Sequence, residues 1–293
     1  MLSNNERPVP KWAELLPEGE FISYLPSYEG GKYFDLFGER VYPCVKTGDI
    51  TYYVYDPVEH GADPDGAYPL LLWIHGATNS FNGRFCISNC GGELFASPEY
   101  QRDMGGAYVV VPLANEKKDD KGELVESWSK DYLEPLKGIC DEICGNGRVS
   151  KRFAMGGSFG GWVTWKLAEK YPDFFDGIIP ISTEYIPNDG RLENMARQGV
   201  SALVACGKHD ETVDFANIEK RLEKLESLGF LCYFPEWVKN GDGGVASLFY
   251  GWEMGQHCVI NQVQANLIFD DGTPYDTRLP RGATGWIKDI CDK

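Results

Sequence analysis

The sequence predicts an α/β fold, a mostly parallel central sheet flanked by helices, with no large cap domain. Three observations carry that reading. From about residue 40 onward β-like and helix-like segments alternate, the arrangement that covers both faces of one sheet with helices. The inner β-like segments are short, continuous apolar runs without strict alternation, as strands buried on both faces must be. Finally, Gly156-Gly157-Ser158-Phe159-Gly160 joins one such run to a helical pattern, which reads as a sharp strand-to-helix turn presenting a serine.

The elements follow in chain order. Residues 1–35 carry Trp12, Phe21, Tyr24, Tyr28, Tyr33 and Phe34 ahead of the alternating pattern, and are expected to form an N-terminal arm packed on a single domain of residues 36–293. Residues 40–45 and 50–55 read as a leading antiparallel pair, because the link Lys46-Thr47-Gly48-Asp49 is rich in turn formers. Residues 70–74, 107–111, 153–155, 178–181, 202–205 and 231–234 are the apolar runs expected to build the parallel core. Helices are expected between them: around Leu136, Ile139, Cys140 and Ile143, with Pro135 in or near the first turn; after Ser158 as far as Tyr171-Pro172; over 215–228, closed by Gly229; and through Val259, Ile260, Val263 and Leu267. Only about twenty residues, 182–201, separate the fourth core strand from the fifth, too few for a large helical cap.

Bulk properties set the classes that remain. A chain of 293 residues, 43% of them apolar, can bury a sizeable core, and no stretch approaches the length of a membrane span. The net charge of −16 argues against nucleic acid and anionic membrane surfaces as partners. Nine cysteines are an odd set, and the first seven residues open no apolar targeting segment, so a reducing cytoplasm is expected. Cys86/Cys90 and Cys140/Cys144 each sit four apart, on one helical face, and lack the two-residue gap of common zinc knuckles; they are read as buried free thiols.

A serine hydroxyl is a poor nucleophile at neutral pH and needs a base, itself oriented by an acid. In an open parallel sheet the ligand site lies beyond the carboxyl ends of the strands, so the partners should follow strands directly. Four histidines compete. His60 lies in a loop ahead of the parallel strands, His75 is placed to brace a loop, and His209 sits beside an acid. His257 opens the helix through Val259 after a long glycine-containing loop, residues 239–256, and is the expected base. Asp210, just past the run 202–205, is the expected orienting acid; Glu211, Asp214 and Asp242 compete for that role, Asp214 also as a helix N-cap. The loop His75-Gly76-Ala77-Thr78 supplies a candidate oxyanion donor in the Ala77 amide, and the amide of Phe159 supplies the other.

The order His-Gly loop, Ser158, Asp210, His257, each just past an expected strand, resembles the α/β-hydrolase superfamily over roughly residues 40 to 270. That resemblance implies Ser158 as nucleophile, Asp210 as acid, His257 as base, Ala77 and Phe159 as oxyanion donors, and no metal or organic cofactor. The stretch from Asn146-Gly147-Arg148 through Ser158 and Gly160-Gly161-Trp162 to Lys170-Tyr171-Pro172-Asp173-Phe174-Phe175 is similar to the feruloyl esterase and polyhydroxybutyrate depolymerase-like group and its peptidase-like relatives. The long loop 239–256 and the N-terminal arm depart from that pattern. The likeness implies hydrolysis of carboxylic esters, hydroxycinnamoyl or short-chain, on a small molecule or a carbohydrate, with the oligomeric state unassigned. Asn79, with its neighbours Ser80 and Phe81, and Phe249, Tyr250 and Trp252 are candidate substrate-binding residues around an open pocket. A peptidase or amidase using the same triad, and a non-catalytic receptor on the same fold, are the rival readings.

Overall fold

The continuous apolar runs do pair side by side. The computed structural model describes residues 33–89, 92–210, 212–236, 257, 259–268 and 272–293; the N-terminal arm therefore falls almost wholly outside the described residues. Ten strands are present among them: β1 (Gly38–Tyr42), β2 (Ile50–Tyr55), β3 (Tyr68–Ile74), β4 (Tyr108–Pro112), β5 (Lys117–Lys118), β6 (Leu124–Glu126), β7 (Val149–Gly157), β8 (Gly177–Ile181), β9 (Ser201–Ala205) and β10 (Leu231–Tyr233). Eight form one sheet in the order β1-β2-β4-β3-β7-β8-β9-β10, and β5 and β6 make a separate hairpin. β1 with β2 and β2 with β4 are antiparallel; every other pairing in the large sheet is parallel. The expected leading antiparallel pair is thus in place, although β1 ends at Tyr42 and leaves a longer link to β2 than its turn residues suggested.

All seven residues of β3 are buried, and their alternation shows why the run is continuous. Leu70, Leu72 and Ile74 enter one apolar cluster while Leu71 and Trp73 enter the other, on the opposite face of the sheet. The first cluster is closed by α3 (Leu133–Cys144), α4 (Phe159–Lys170), α5 (Asp189–Arg197) and α7 (Leu222–Ser227), through residues such as Leu136, Ile139, Val163, Leu192 and Leu225. The second is closed by α1 (Cys86–Asn89), α2 (Pro98–Met104), α8 (Val259–Gln264) and α9 (Gly282–Cys291), through Ile87, Met104, Val263 and Ile287. Burying each of these leucine or isoleucine side chains contributes about 1.5–3 kcal/mol.

The expected helix over 215–228 is two helices. α6 (Phe215–Glu219) stops at Lys220, and α7 starts after Arg221. Phe215 and Ile218 pack with Cys206 and Val213 in a small cluster of their own, whereas Leu225 belongs to the main core, so one straight axis does not serve both contacts. Gly229 closes α7 with φ 77, the left-handed conformation glycine supplies freely. Pro135 sits in the first turn of α3, where its missing N–H removes no helical bond. Between β8 and β9 the chain carries α5 alone, so no cap domain rises there. Among the described residues no helix is long and apolar enough to cross a membrane.

Candidate active site

The serine stands at a strained bend of the backbone. Ser158, between β7 and α4, has φ 56 and ψ −120, a conformation that costs an L residue on the order of 1–3 kcal/mol and survives only when its surroundings hold it. The surroundings are the glycines. A Cβ at Gly156 would lie 2.9 Å from the carbonyl carbon of Gly160, and a Cβ at Gly160 would lie 2.8 Å from the His75 oxygen; both would press still harder on the Ile74 carbonyl. β3 and the turn therefore close on each other at a distance only glycine allows. The Ser158 amide donates to the Ile181 carbonyl at 2.9 Å, tying the elbow to the end of β8.

His257 is brought to the same end of the sheet. Its carbonyl accepts a hydrogen bond from Ser182 Oγ at 2.9 Å, and Ser182 directly follows the Ile181 whose carbonyl holds Ser158. Three residues on, Ile260 of α8 packs so closely on the elbow that a Cβ at Gly157 would lie 2.9 Å from its Cγ2. The imidazole Nδ1 donates to the Asp210 carboxylate, 2.9 Å from Oδ2 and 3.0 Å from Oδ1. Nε2 is thereby left as the basic nitrogen. Asp210 is buried, and its charge is met by the amides of Thr212 and Val213 at 2.9 and 3.0 Å and by the Thr212 hydroxyl at 3.0 Å, all on Oδ1. Such bonds stabilise a carboxylate by about 1.5–3 kcal/mol each.

Asp210, and not Asp214, meets His257. Asp214 caps α6, accepting from the Ala216 amide at 3.1 Å; Glu211 and Asp242 lie outside the described residues. The sequence reading missed Thr212, whose Oγ1 is also 2.6 Å from His257 Nδ1. A hydroxyl both donates and accepts, so Thr212 can give its proton to Asp210 while its oxygen shares the Nδ1 proton. Ser182 was missed too. Its positive φ of 47 has no local signature, since serine is common in loops.

The other histidines take the places expected of them. His60 is exposed, stacked on Tyr55 at 4.6 Å. His209 is 3.1 Å from Glu236 on the surface side. His75 is fully buried and does brace a loop: its Nε2 accepts from the Ala114 amide at 3.0 Å, its Nδ1 lies 2.6 Å from the Gly76 carbonyl, and its own carbonyl accepts from Trp128 Nε1 at 2.9 Å. Burial lowers its pKa, against the opposing influence of the Gly76 carbonyl and the Glu116 carboxylate.

Gly76 abuts the elbow. A Cβ there would lie 3.5 Å from both Ser158 Cβ and the Gly157 oxygen, and 3.1 Å from Asn79 Oδ1. Ala77 follows it, and Phe159 opens α4, so one candidate amide lies beside the elbow and the other belongs to it. Among the described residues neither amide donates a hydrogen bond, and the Phe159 amide adds the partial positive charge of a helix start. Asn79 begins a 3-10 segment, Asn79–Phe85, that is broken by a kink at Gly83, beside the loop. Phe249, Tyr250 and Trp252 lie outside the described residues. A groove of about 1020 Å³ runs from Phe159 past Glu116 and Trp128 and along the β5–β6 hairpin. Its charges at Lys46–Asp131 and Lys117–Glu126 are paired, at 2.6 and 2.8 Å.

Among the described residues no group of three or more His, Cys, Asp or Glu could hold a metal ion. Cys86 and Cys140 are buried as expected, whereas Cys144, near the end of α3, is only half-buried; Cys90 lies outside the described residues.

No protein-family model matches the chain, and no curated protein matches it. Solved structures do. A thermostable esterase is 22% identical with a TM-score of 0.58; the match covers 78% of this chain, which spans only 60% of the length of that esterase. A serine-to-alanine mutant of the feruloyl esterase module from Clostridium thermocellum, complexed with sinapinate, is 14% identical with a TM-score of 0.53, the match covering 85% of this chain and 95% of the module. The fold is the α/β-hydrolase fold.

Proposed function

We propose that the chain is a serine hydrolase of carboxylic esters that works through an acyl-enzyme on Ser158. The observation that supports this most is the joint placement of a strained serine elbow and a buried histidine–carboxylate pair. The backbone of each is held by the residue pair Ile181 and Ser182.

The chemistry follows from those positions. Ser158 Oγ bonds the acyl carbon as its proton passes to His257 Nε2, and Asp210 stabilises the imidazolium while holding its Nδ1 proton. The carbonyl oxygen becomes an oxyanion that accepts from the amides of Ala77 and Phe159; each such donor is worth about 10²–10³-fold in rate. Collapse breaks the ester C–O bond, and His257 returns its proton to the departing alcohol. Water then attacks the acyl-enzyme with His257 again as base, releasing the acid and restoring Ser158.

Short-chain and hydroxycinnamoyl esters are the acyl groups to test first, the latter because the Clostridium thermocellum module that shares the fold is a feruloyl esterase holding sinapinate. Wild type and Ser158→Ala are compared on acetyl, butyryl, aryl and hydroxycinnamoyl esters beside matched amides, with a fluorophosphonate probe to mark the nucleophile. We expect ester turnover and labelling at Ser158, both lost in a folded Ser158→Ala protein. Turnover that persists in that variant removes Ser158 from the role, and faster cleavage of amides than of matched esters would assign the chain to peptidase chemistry.

A further inference from the structure

The loop that carries Ala77 is held by a carboxylate the reaction does not otherwise use. Glu116, on the chain between β4 and β5, accepts four hydrogen bonds. Oε1 takes the Thr78 amide at 2.8 Å and the Ser127 hydroxyl at 2.6 Å; Oε2 takes the Ser80 amide at 3.1 Å and the Ser80 hydroxyl at 2.6 Å. Every partner is a donor, which an ionised carboxylate, acceptor on both oxygens, satisfies and no neutral side chain of its size does. The backbone it grips is strained. Thr78 has φ 69 and ψ −8 at the start of the 3-10 helix and makes no side-chain cap of its own; for a β-branched residue this left-handed conformation is a genuine outlier. Glu116 supplies the cap from elsewhere in the chain.

The same three-residue segment holds the other end of the loop, since the Ala114 amide donates to His75 Nε2. The hairpin side adds a second brace through the neighbours Ser127, on Glu116, and Trp128, on the His75 carbonyl. The peptide unit immediately after Ala77 is thus fixed by the carboxylate; the unit that carries the Ala77 amide is held at the Gly76 carbonyl by His75 Nδ1, and the unit before that at the His75 carbonyl by Trp128.

From this geometry we infer that Glu116 is a positioning residue for the oxyanion site, fixing the Ala77 amide through its grip on Thr78 and Ser80. The inference rests on the esterase reading above. Its mechanism is preorganisation: a donor already aimed at the position the oxyanion will occupy lowers the barrier, whereas one that must be reordered during reaction does not. Glu116→Gln keeps the size but turns one acceptor into an NH₂ that faces a donor, either at Thr78 or at Ser80, and the loop loses its fixed aim.

The test uses Glu116→Gln on whichever ester the wild type turns over, with an alkyl boronic acid, which bonds the serine and mimics the tetrahedral adduct, as a second readout. We expect kcat to fall about 10–100-fold with KM within threefold, and the boronate inhibition constant to rise by a similar factor. A general structural role would not separate kcat from KM in this way. Ser80→Ala/Ser127→Ala removes both hydroxyl bonds and leaves both backbone bonds; it should show the same split at about 3–10-fold, and it decides the matter if Glu116→Gln does not fold. A folded variant with kcat and boronate affinity within twofold of wild type overturns the inference. A wild type that turns over no ester, or a Ser158→Ala protein that still does, overturns the esterase reading instead, so the two failures are distinct.

Discussion

Gly160→Ala is the sharpest single perturbation of the elbow, because one methyl group meets backbone that cannot turn aside. The added Cβ would lie 2.8 Å from the His75 oxygen and 2.8 Å from the Ile74 carbon, with the Ile74 oxygen nearer still, where real contacts essentially never fall below 3.0 Å. These atoms belong to the last residue of β3 and to His75 directly after it, and β3 is hydrogen-bonded on both sides to β4 and β7, so α4 must move instead. A retreat on the order of 1 Å carries the Phe159 amide and Ser158 away from Gly76 and Ala77, and a misplacement of that size can cost about 10²-fold in rate. Overpacking of this kind destabilises by about 1–3 kcal/mol, and in a chain of this length each kcal/mol lowers Tm by about 2–4 °C. Thermal unfolding and kcat/KM on one ester measure both. Gly190→Ala is the control: in the exposed start of α5, where a Cβ meets nothing nearer than Asn188 Oδ1 at 3.8 Å, it should leave activity alone and raise stability by up to about 1 kcal/mol. A Gly160→Ala protein with wild-type Tm and activity within twofold would refute the close-approach argument.

Two further outcomes follow from the same site. Asp210→Asn should lower kcat by about 10⁴-fold without loss of fold, because the amide no longer holds His257 in the tautomer that leaves Nε2 basic; a residual rate above a tenth of wild type would remove Asp210 from the role. Stability should fall as the pH drops below about 6.5, the pKa of an unfolded histidine, because burial depresses the pKa of His75 in the folded chain. Below that pH the unfolded state binds the extra proton first, so unfolding is favoured by up to about 1.4 kcal/mol per pH unit for this one group until the folded value is reached. Urea titrations of wild type and His75→Asn at pH 7.5, 6.5 and 5.5 isolate it: the stability advantage of wild type should shrink with falling pH, and a constant difference would refute the assignment.

The core strands were legible because burial on both faces leaves a mark in the residues themselves. Leu70-Leu71-Leu72-Trp73-Ile74 is apolar at every position since odd and even residues enter different clusters. The elbow was legible for a comparable reason: Gly156 and Gly160 are required by the approach of the Ile74 carbonyl, a constraint strong enough to fix residue type. Asp210 and His257, which the fold brings within hydrogen-bond distance of each other, were nominated by their position after strands, a topological rule. Thr212 and Glu116 obey no such rule. Each acts through partners brought near by the fold, His257 for one and Thr78, Ser80 and Ser127 for the other, and an isolated threonine or glutamate looks like any surface residue. The β5–β6 hairpin escaped notice because Lys117, Lys118, Val125 and Glu126 are exposed and bury no face, so no alternation is imposed on them. α2, α5 and α9 were passed over as well. α5 hides its two buried residues, Leu192 and Met195, among charged ones. The break between α6 and α7 was invisible because apolar spacing continues across it while the two halves pack on different clusters.

The sheet order has a consequence for how the protein is made. β3 and β7 lie side by side at the centre of the sheet, yet β4, the hairpin and α3 separate them along the chain. A chain emerging from the ribosome can pair β3 with β4 early, but Ala77 has no elbow to face until β7 has followed. The eight strands of the sheet are all translated by Tyr233, whereas the proposed base arrives only with His257. On this ordering the sheet precedes the His257–Asp210 pair during synthesis, and the hydrolysis proposed above has to wait until residue 257 has cleared the exit tunnel.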